Sequence, residues 1–107
     1  MGYKRKFTRL PIECQGDLHQ AGGDIACEIV NLCEHGMLLR PATPLTVGEE
    51  LPFEFSLGKS RRIQCTIKIV RAAKSDFGAQ IVNILPEDQC YLTEYLDDFV
   101  ANNFGRY

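Results

Sequence analysis

Arg62-Ile63-Gln64-Cys65-Thr66-Ile67-Lys68-Ile69 sets an apolar side chain at every odd position and a polar one at every even position. Successive side chains of a strand point to opposite faces, so this stretch reads as a β-strand with one face buried and one wet. The alternation continues outward. Leu51 to Leu57 repeats it through Leu51, Phe53, Phe55 and Leu57, and Asp24 to Val30 through Ile25, Cys27 and Ile29, with Glu28 on the opposite face. Phe77 to Ile84 follows a Ser75-Asp76 turn and is rich in β-branched and apolar residues. Turn formers separate these runs at Gly22-Gly23, Pro41 to Gly48, Gly58-Lys59-Ser60 and Lys74-Ser75-Asp76. Short strands at this spacing predict an antiparallel barrel or sandwich.

The last twenty residues change period. Leu92, Tyr95, Leu96, Phe99 and Val100 fall at i, i+3, i+4, i+7 and i+8, which makes one apolar stripe on a helix. Pro86 suits the first helical position, and Glu87 and Asp88 then lie near the positive end of the helix dipole. The pattern predicts a helix from Pro86 to about Asn103, its stripe packed as core against the barrel.

A length of 107 residues, 45% apolar and 24% charged, fits one compact domain spanning residues 1–107. Apolar runs are far short of the ~20 residues of a membrane helix. No apolar segment follows the basic start, so no signal peptide is expected. The five cysteines, at 14, 27, 33, 65 and 90, then read as reduced thiols in a cytoplasmic protein. Cys27, Cys33 and His35 do not have the spacing of a structural zinc site, and no second ligand pair follows. His19 and His35 lie in no nucleophile or metal motif, and phosphate-binding and dinucleotide-binding glycine patterns are missing. The residues therefore point away from an enzyme.

The formal charge of −2 conceals an asymmetry. Residues 1–10 carry Lys4, Arg5, Lys6 and Arg9 and no acid, so the other 97 residues hold eight basic groups against fourteen acidic ones. A cationic segment on an acidic body suggests a local anionic partner rather than broad coating of a nucleic acid polymer. In Arg5-Lys6-Phe7-Thr8-Arg9, two guanidinium forks four residues apart can grip phosphates and stack on a flat base. In Asn31-Leu32-Cys33-Glu34-His35-Gly36, a strand end carries an amide able to read a base edge, and a glycine able to turn or admit a ligand.

Together, in this order and on this strand pattern, the two elements resemble the PilZ family of cyclic diguanylate receptors. The family signature is R-x-x-x-R near the N-terminus, then D/N-x-S-x-x-G some twenty to thirty residues later. Arg5 and Arg9 match the first motif, and Asn31 and Gly36 the outer positions of the second. Ile63 to Arg71, Phe77-Gly78-Ala79-Gln80-Ile81 and the terminal helix look like the family's later elements, so the resemblance spans the chain. It implies a mainly β fold, a six-stranded antiparallel β-barrel with a C-terminal α-helix. It also implies cyclic di-GMP as ligand, with no cofactor or metal. Arg5 and Arg9 would contact phosphates and guanine, with Lys4 adding charge. Asn31 and Cys33 would meet a guanine edge, and Gly36 would provide the turn. Arg40 would reach the ligand, as in some members. Arg71, at a strand end, reads foremost as a surface arginine, with a flat stacking surface as its second reading.

One position departs from the pattern: Cys33 stands where the family has serine. A thiol is a poor hydrogen-bonding group, and losing one ordinary hydrogen bond costs roughly 0.5–1.5 kcal/mol. Arginine contacts to charged groups are each worth roughly 1.5–3 kcal/mol, so binding is predicted to weaken rather than vanish. On this reading binding orders the Arg5–Arg9 segment over the barrel and signals through an unidentified protein effector. The alternative is an adaptor of pilus or motility machinery that has lost the ligand, using the acidic terminal helix (Glu87, Asp88, Glu94, Asp97, Asp98) for protein contacts. Single-stranded nucleic acid binding is disfavoured, because Phe53 and Phe55 sit on an apolar core face rather than in a basic groove.

Overall fold

The alternating strands pair side by side until the sheet meets itself. A computed structural model describes residues 14–57 and 61–103, with side chains through Phe99. Strands β1 (Cys14–Gln20), β2 (Gly23–Leu32), β3 (Gly36–Pro41), β4 (Glu50–Leu57), β5 (Arg61–Ala73) and β6 (Asp76–Ile84) precede helix α1 (Pro86–Asn103). They form a closed barrel in the order β1-β2-β3-β6-β5-β4, every neighbouring pair antiparallel.

The inward positions fill the barrel. Leu18, Ile29, Met37, Leu39, Phe53, Phe55, Ile63, Ile67 and Ile69 are fully buried, and the Phe53 and Phe55 rings stack with centroids 5.4 Å apart. Cys27 and Cys65 occupy the same interior as small hydrophobes, and burial pushes both thiols up to about 12. The described cysteines are all free thiols.

Strands β1 and β3 have no alternating signature of their own. In β1 only Leu18 is a large inward residue, because Gly16 faces the Phe53 ring where β1 closes onto β4. A Cβ at Gly16 would lie 2.7 Å from a Phe53 ring carbon. Strand β3 owes its place to pairing on both sides, with β2 and with β6.

The helix closes one end of the barrel. Leu92 and Leu96 are buried, and Tyr91, Tyr95 and Phe99 pack against the same core. Its first turn is latched to the start of β5. Arg61 Nη2 donates to Asp88 Oδ1 at 2.7 Å, and the Gln64 backbone N–H reaches Asp88 Oδ2 at 3.4 Å. The Arg61 guanidinium sits 5.2 Å from the Tyr91 ring centroid, and Tyr91 OH donates to the Leu57 carbonyl at 3.1 Å. Asp88 is thus a buried anchor, 6% exposed, and corrects its assignment to the acidic surface of the helix. The side chain of Val100 and the Gly58-Lys59-Ser60 turn lie outside the described residues. Among the described residues, no helix is long and apolar enough to cross a membrane.

Candidate ligand site

Strict alternation from Ile25, Cys27 and Ile29 would send Asn31 into the core. A β-bulge keeps that amide out of the core. Ile29 pairs with Leu39 and Asn31 with Leu38, so Val30 is the extra residue. The bulge returns Leu32 to the interior, fully buried, and turns Asn31 to the outer wall. Leu38 is the neighbour of Asn31 on β3, and Gly78 the neighbour of Leu38 on β6. An amide, a half-buried leucine and a side-chain-free glycine thus form one row across three strands.

The turn beyond Asn31 is held from both directions. The Cys33 N–H donates to the Gly36 carbonyl at 2.9 Å, and the Ile81 N–H donates to the His35 carbonyl at 2.8 Å. Gly36 pairs with Gln80 so closely that a Cβ would lie 2.6 Å from the Ala79 carbonyl oxygen. A glycine is needed here for close approach of two backbones. Cys33 is half-buried beside Asn31, and His35 is exposed at the tip.

Asn31 Oδ1 is buried and has no hydrogen-bond partner among the described residues. Leaving such an acceptor unpaired costs roughly 1–3 kcal/mol, and such groups are rare in native structures. The arrangement is therefore suited to receiving an N–H donor from outside the described chain. Guanine offers such a donor in its exocyclic amino group.

The other expected residues fall differently. Arg40 projects from the outer face of β3 opposite Glu28 and is held by Asp76, Nε to Oδ1 at 2.9 Å and Nη2 to Oδ2 at 3.3 Å. It reaches a ligand only by breaking that bidentate pair. Arg5, Arg9 and Lys4 lie outside the described residues. Cys14, the first described residue, pairs with Ile29, so the chain enters the barrel beside the strand end that carries Asn31. Leu38 was not singled out from the sequence, and Gly78 only as part of the Phe77–Ile81 element. The available signal was the polar Asn31 at an inward step of an otherwise regular strand, which marks a bulge.

The comparisons with known proteins agree with this fold. The family model "PilZ domain" matches residues 3–98. The fold is similar to that of the Bacillus subtilis inhibitor of motility (MotI/DgrA), at TM-score 0.78 and 20% identity over 94% of this chain and 53% of that one. The chain thus spans about half the length of that protein. It is also similar to the PilZ domain of CeSA from a cellulose-synthesizing bacterium, at TM-score 0.65 and 12% identity over 86% of this chain and 97% of that one. Curated protein sequences gave no significant match. With its sequence matched over nearly its whole length and its barrel and closing helix in place, the chain belongs to the PilZ domain family, a family of receptor and adaptor domains for cyclic di-GMP.

Proposed function

We propose that this chain is a cyclic di-GMP receptor that acts on a protein partner without catalysis. The observation that carries the reading is the buried Asn31 Oδ1, unpartnered among the described residues and set on the outer wall by a bulge beside Cys33 and the close-packed Gly36. An acceptor in this position suits the donor edge of guanine. Arg9 lies five residues before Cys14, a reach of up to about 18 Å at roughly 3.6 Å per residue. That span allows Arg5 and Arg9 to meet the phosphates of a ligand held on the wall, each contact contributing roughly 1.5–3 kcal/mol. Binding draws the Arg5–Arg9 segment across the barrel and changes the surface offered to the partner. The similarity to an inhibitor of motility supports motility machinery as the class of that partner.

Calorimetry with cyclic di-GMP on the reduced, folded protein tests the reading. Arg5→Ala and Arg9→Ala each weaken binding strongly, and Cys33→Ser leaves it equal or tighter, since a hydroxyl restores the missing hydrogen bond. A folded sample that gives neither heat nor a thermal shift with excess ligand sinks the proposal.

Cys33 itself motivates a second reading, a protein-contact adaptor that needs no nucleotide. Its surface would be the exposed face of α1 with Glu87, Glu94, Asp97 and Asp98, from which the buried Asp88 is now removed. Capture of a motility protein that is indifferent to cyclic di-GMP favours that reading.

A further inference from the structure

A trough of about 460 Å³ opens on the outer wall across β1, β2 and the end of β3. It exists because side chains are small there. Asp17 pairs with Ala26, the Ala42 N–H donates to the Ala26 carbonyl at 2.9 Å, and Gly16 has no side chain to fill the space. Polar residues stand along its edges. Gln15 pairs with Glu28 and Glu28 with Arg40, while Arg62 reaches in from β5 to donate to Asp17 at 2.9 Å. Apart from Arg40, none of these residues belongs to the two motifs or to the Asn31 site.

The charges of the trough do not balance. Its two arginines are already held, Arg40 by Asp76 at 2.9 Å and Arg62 by Asp17 and Glu54 at 2.9 and 3.0 Å. The Glu28 carboxylate has no hydrogen-bond or ion-pair partner among the described residues, and neither has the Gln15 amide. Asp17 and Glu28, with Glu54 and Asp76 behind the arginines, set four carboxylates against two guanidiniums. The surplus is two negative charges on a concave stretch of wall. That field repels a phosphate and suits a cationic, extended segment.

One such segment is attached to the trough's own edge. Residues 1–10 carry Lys4, Arg5, Lys6 and Arg9 and no acid, and Arg9 is six residues before Gln15. Six residues span up to about 22 Å at roughly 3.6 Å per residue, enough for Arg9 to fold back over the trough. A tether this short gives an effective concentration on the order of millimolar, at which weak surface ion pairs become populated. We infer that the trough holds this chain's own basic segment when no nucleotide is bound, its cationic side chains against Glu28 and Asp17, and that ligand binding at Asn31 draws the segment out of it. Asn31 is three residues beyond Glu28 on β2, roughly 10 Å along the strand, so the two positions compete for one short segment. Apparent ligand affinity is then lowered by the fraction of molecules in which the segment is docked. The exchange rests on the receptor reading above; the docking stands without it.

The test pairs two measurements on the full chain at low salt, with a melting curve to show that each variant is folded. Trypsin cleavage after Lys6 and Arg9, followed by mass spectrometry without nucleotide, reads the docking; calorimetry with cyclic di-GMP reads the exchange. Glu28→Gln is cleaved about threefold faster than the parent and binds cyclic di-GMP about threefold more tightly, the size expected for losing one exposed ion pair. Both differences largely disappear at about 0.5 M salt, where surface pairs are screened. Glu50→Gln removes the same charge from an exposed position on β4 outside the trough, and behaves as the parent does. Cleavage of Glu28→Gln at the parent's rate, or an equal acceleration in Glu50→Gln, overturns the docking. Protection that grows with protein concentration assigns the contact to a second copy and overturns it as well. Faster cleavage of Glu28→Gln with parental affinity overturns the exchange. A folded parent that binds no cyclic di-GMP, with cleavage still faster in Glu28→Gln, overturns the receptor reading and leaves the docking standing.

Discussion

Replacing Asp88 with alanine should loosen the helix that closes the barrel, and the size of the effect follows from its contacts. The substitution removes a charge-assisted hydrogen bond of 2.7 Å from Arg61, worth roughly 1.5–3 kcal/mol. It also removes a carboxylate from the first turn of α1, worth roughly 0.3–1 kcal/mol. The 3.4 Å contact with the Gln64 N–H adds little. The Arg61 side chain is 38% exposed, so water recovers part of its charge once the pair is broken, which holds the loss near the lower end, about 2 kcal/mol. At roughly 4–8 °C per kcal/mol for a chain near this size, the midpoint falls by about 8–16 °C. Thermal melts followed by circular dichroism measure this, and a cycle with Arg61→Ala isolates the pair. The single losses should be clearly non-additive, and Arg61→Leu with Asp88→Leu should recover much of the stability, as paired apolar replacements of buried ion pairs often do. An Asp88→Ala midpoint within about 2 °C of the parent, or strict additivity with Arg61→Ala, would refute the latch.

Three shorter predictions concern other parts of the barrel. Gly36→Ala forces β3 and β6 apart, since its Cβ would lie 2.6 Å from a backbone oxygen; it should lower the midpoint by several degrees, whereas an unchanged melt would show that the strands give easily. Burial raises the Cys27 and Cys65 thiols from their ordinary value of 9.0 to about 12. Unfolded thiols therefore ionise first, and stability should fall as pH rises from about 9 toward 12. Mass spectrometry of alkylated native protein should find Cys90 modified well before either buried cysteine, and equal rates would contradict the burial. The hydrogen bond that His19 Nδ1–H donates to the Asp24 carboxylate raises His19 above 6.5, so its stabilisation is full below that value and fades as pH rises through the folded one. An NMR titration of His19 with a midpoint at or below 6.5 counts against this pair.

The parts of the fold that were readable are those where period and burial coincide. Strand β5 could be read because Ile63, Cys65, Ile67 and Ile69 keep step with the pleat for most of its length, and α1 because its stripe meets a single surface. Strand β1 could not, since Gly16 spends an inward position on close approach rather than on hydrophobic bulk. The candidate site was half-readable for a related reason. The motifs point to Asn31 and Gly36, but a bulge is a local change of register, and period-two reasoning carried through the bulges before Asn31 and Arg71 would send both to the wrong face. Both steps share one mark, a polar or charged residue at a position the pattern reserves for the core. Asp88 escaped because its partner Arg61 is 27 residues away.

Closure of the barrel has a consequence for how any partner can hold this domain. An open sheet offers its border strands as templates, and many peptides bind by extending them. Here β1 meets β4 through Gly16–Phe55, Asp17–Glu54 and Leu18–Phe53, and that seam removes the border. On β4 the stretch before the seam contains Pro52, which lacks an N–H to offer an incoming strand. Among the described strands, none is left as an open border for strand addition. A partner of the described barrel would instead read side chains on its outer wall or its helix.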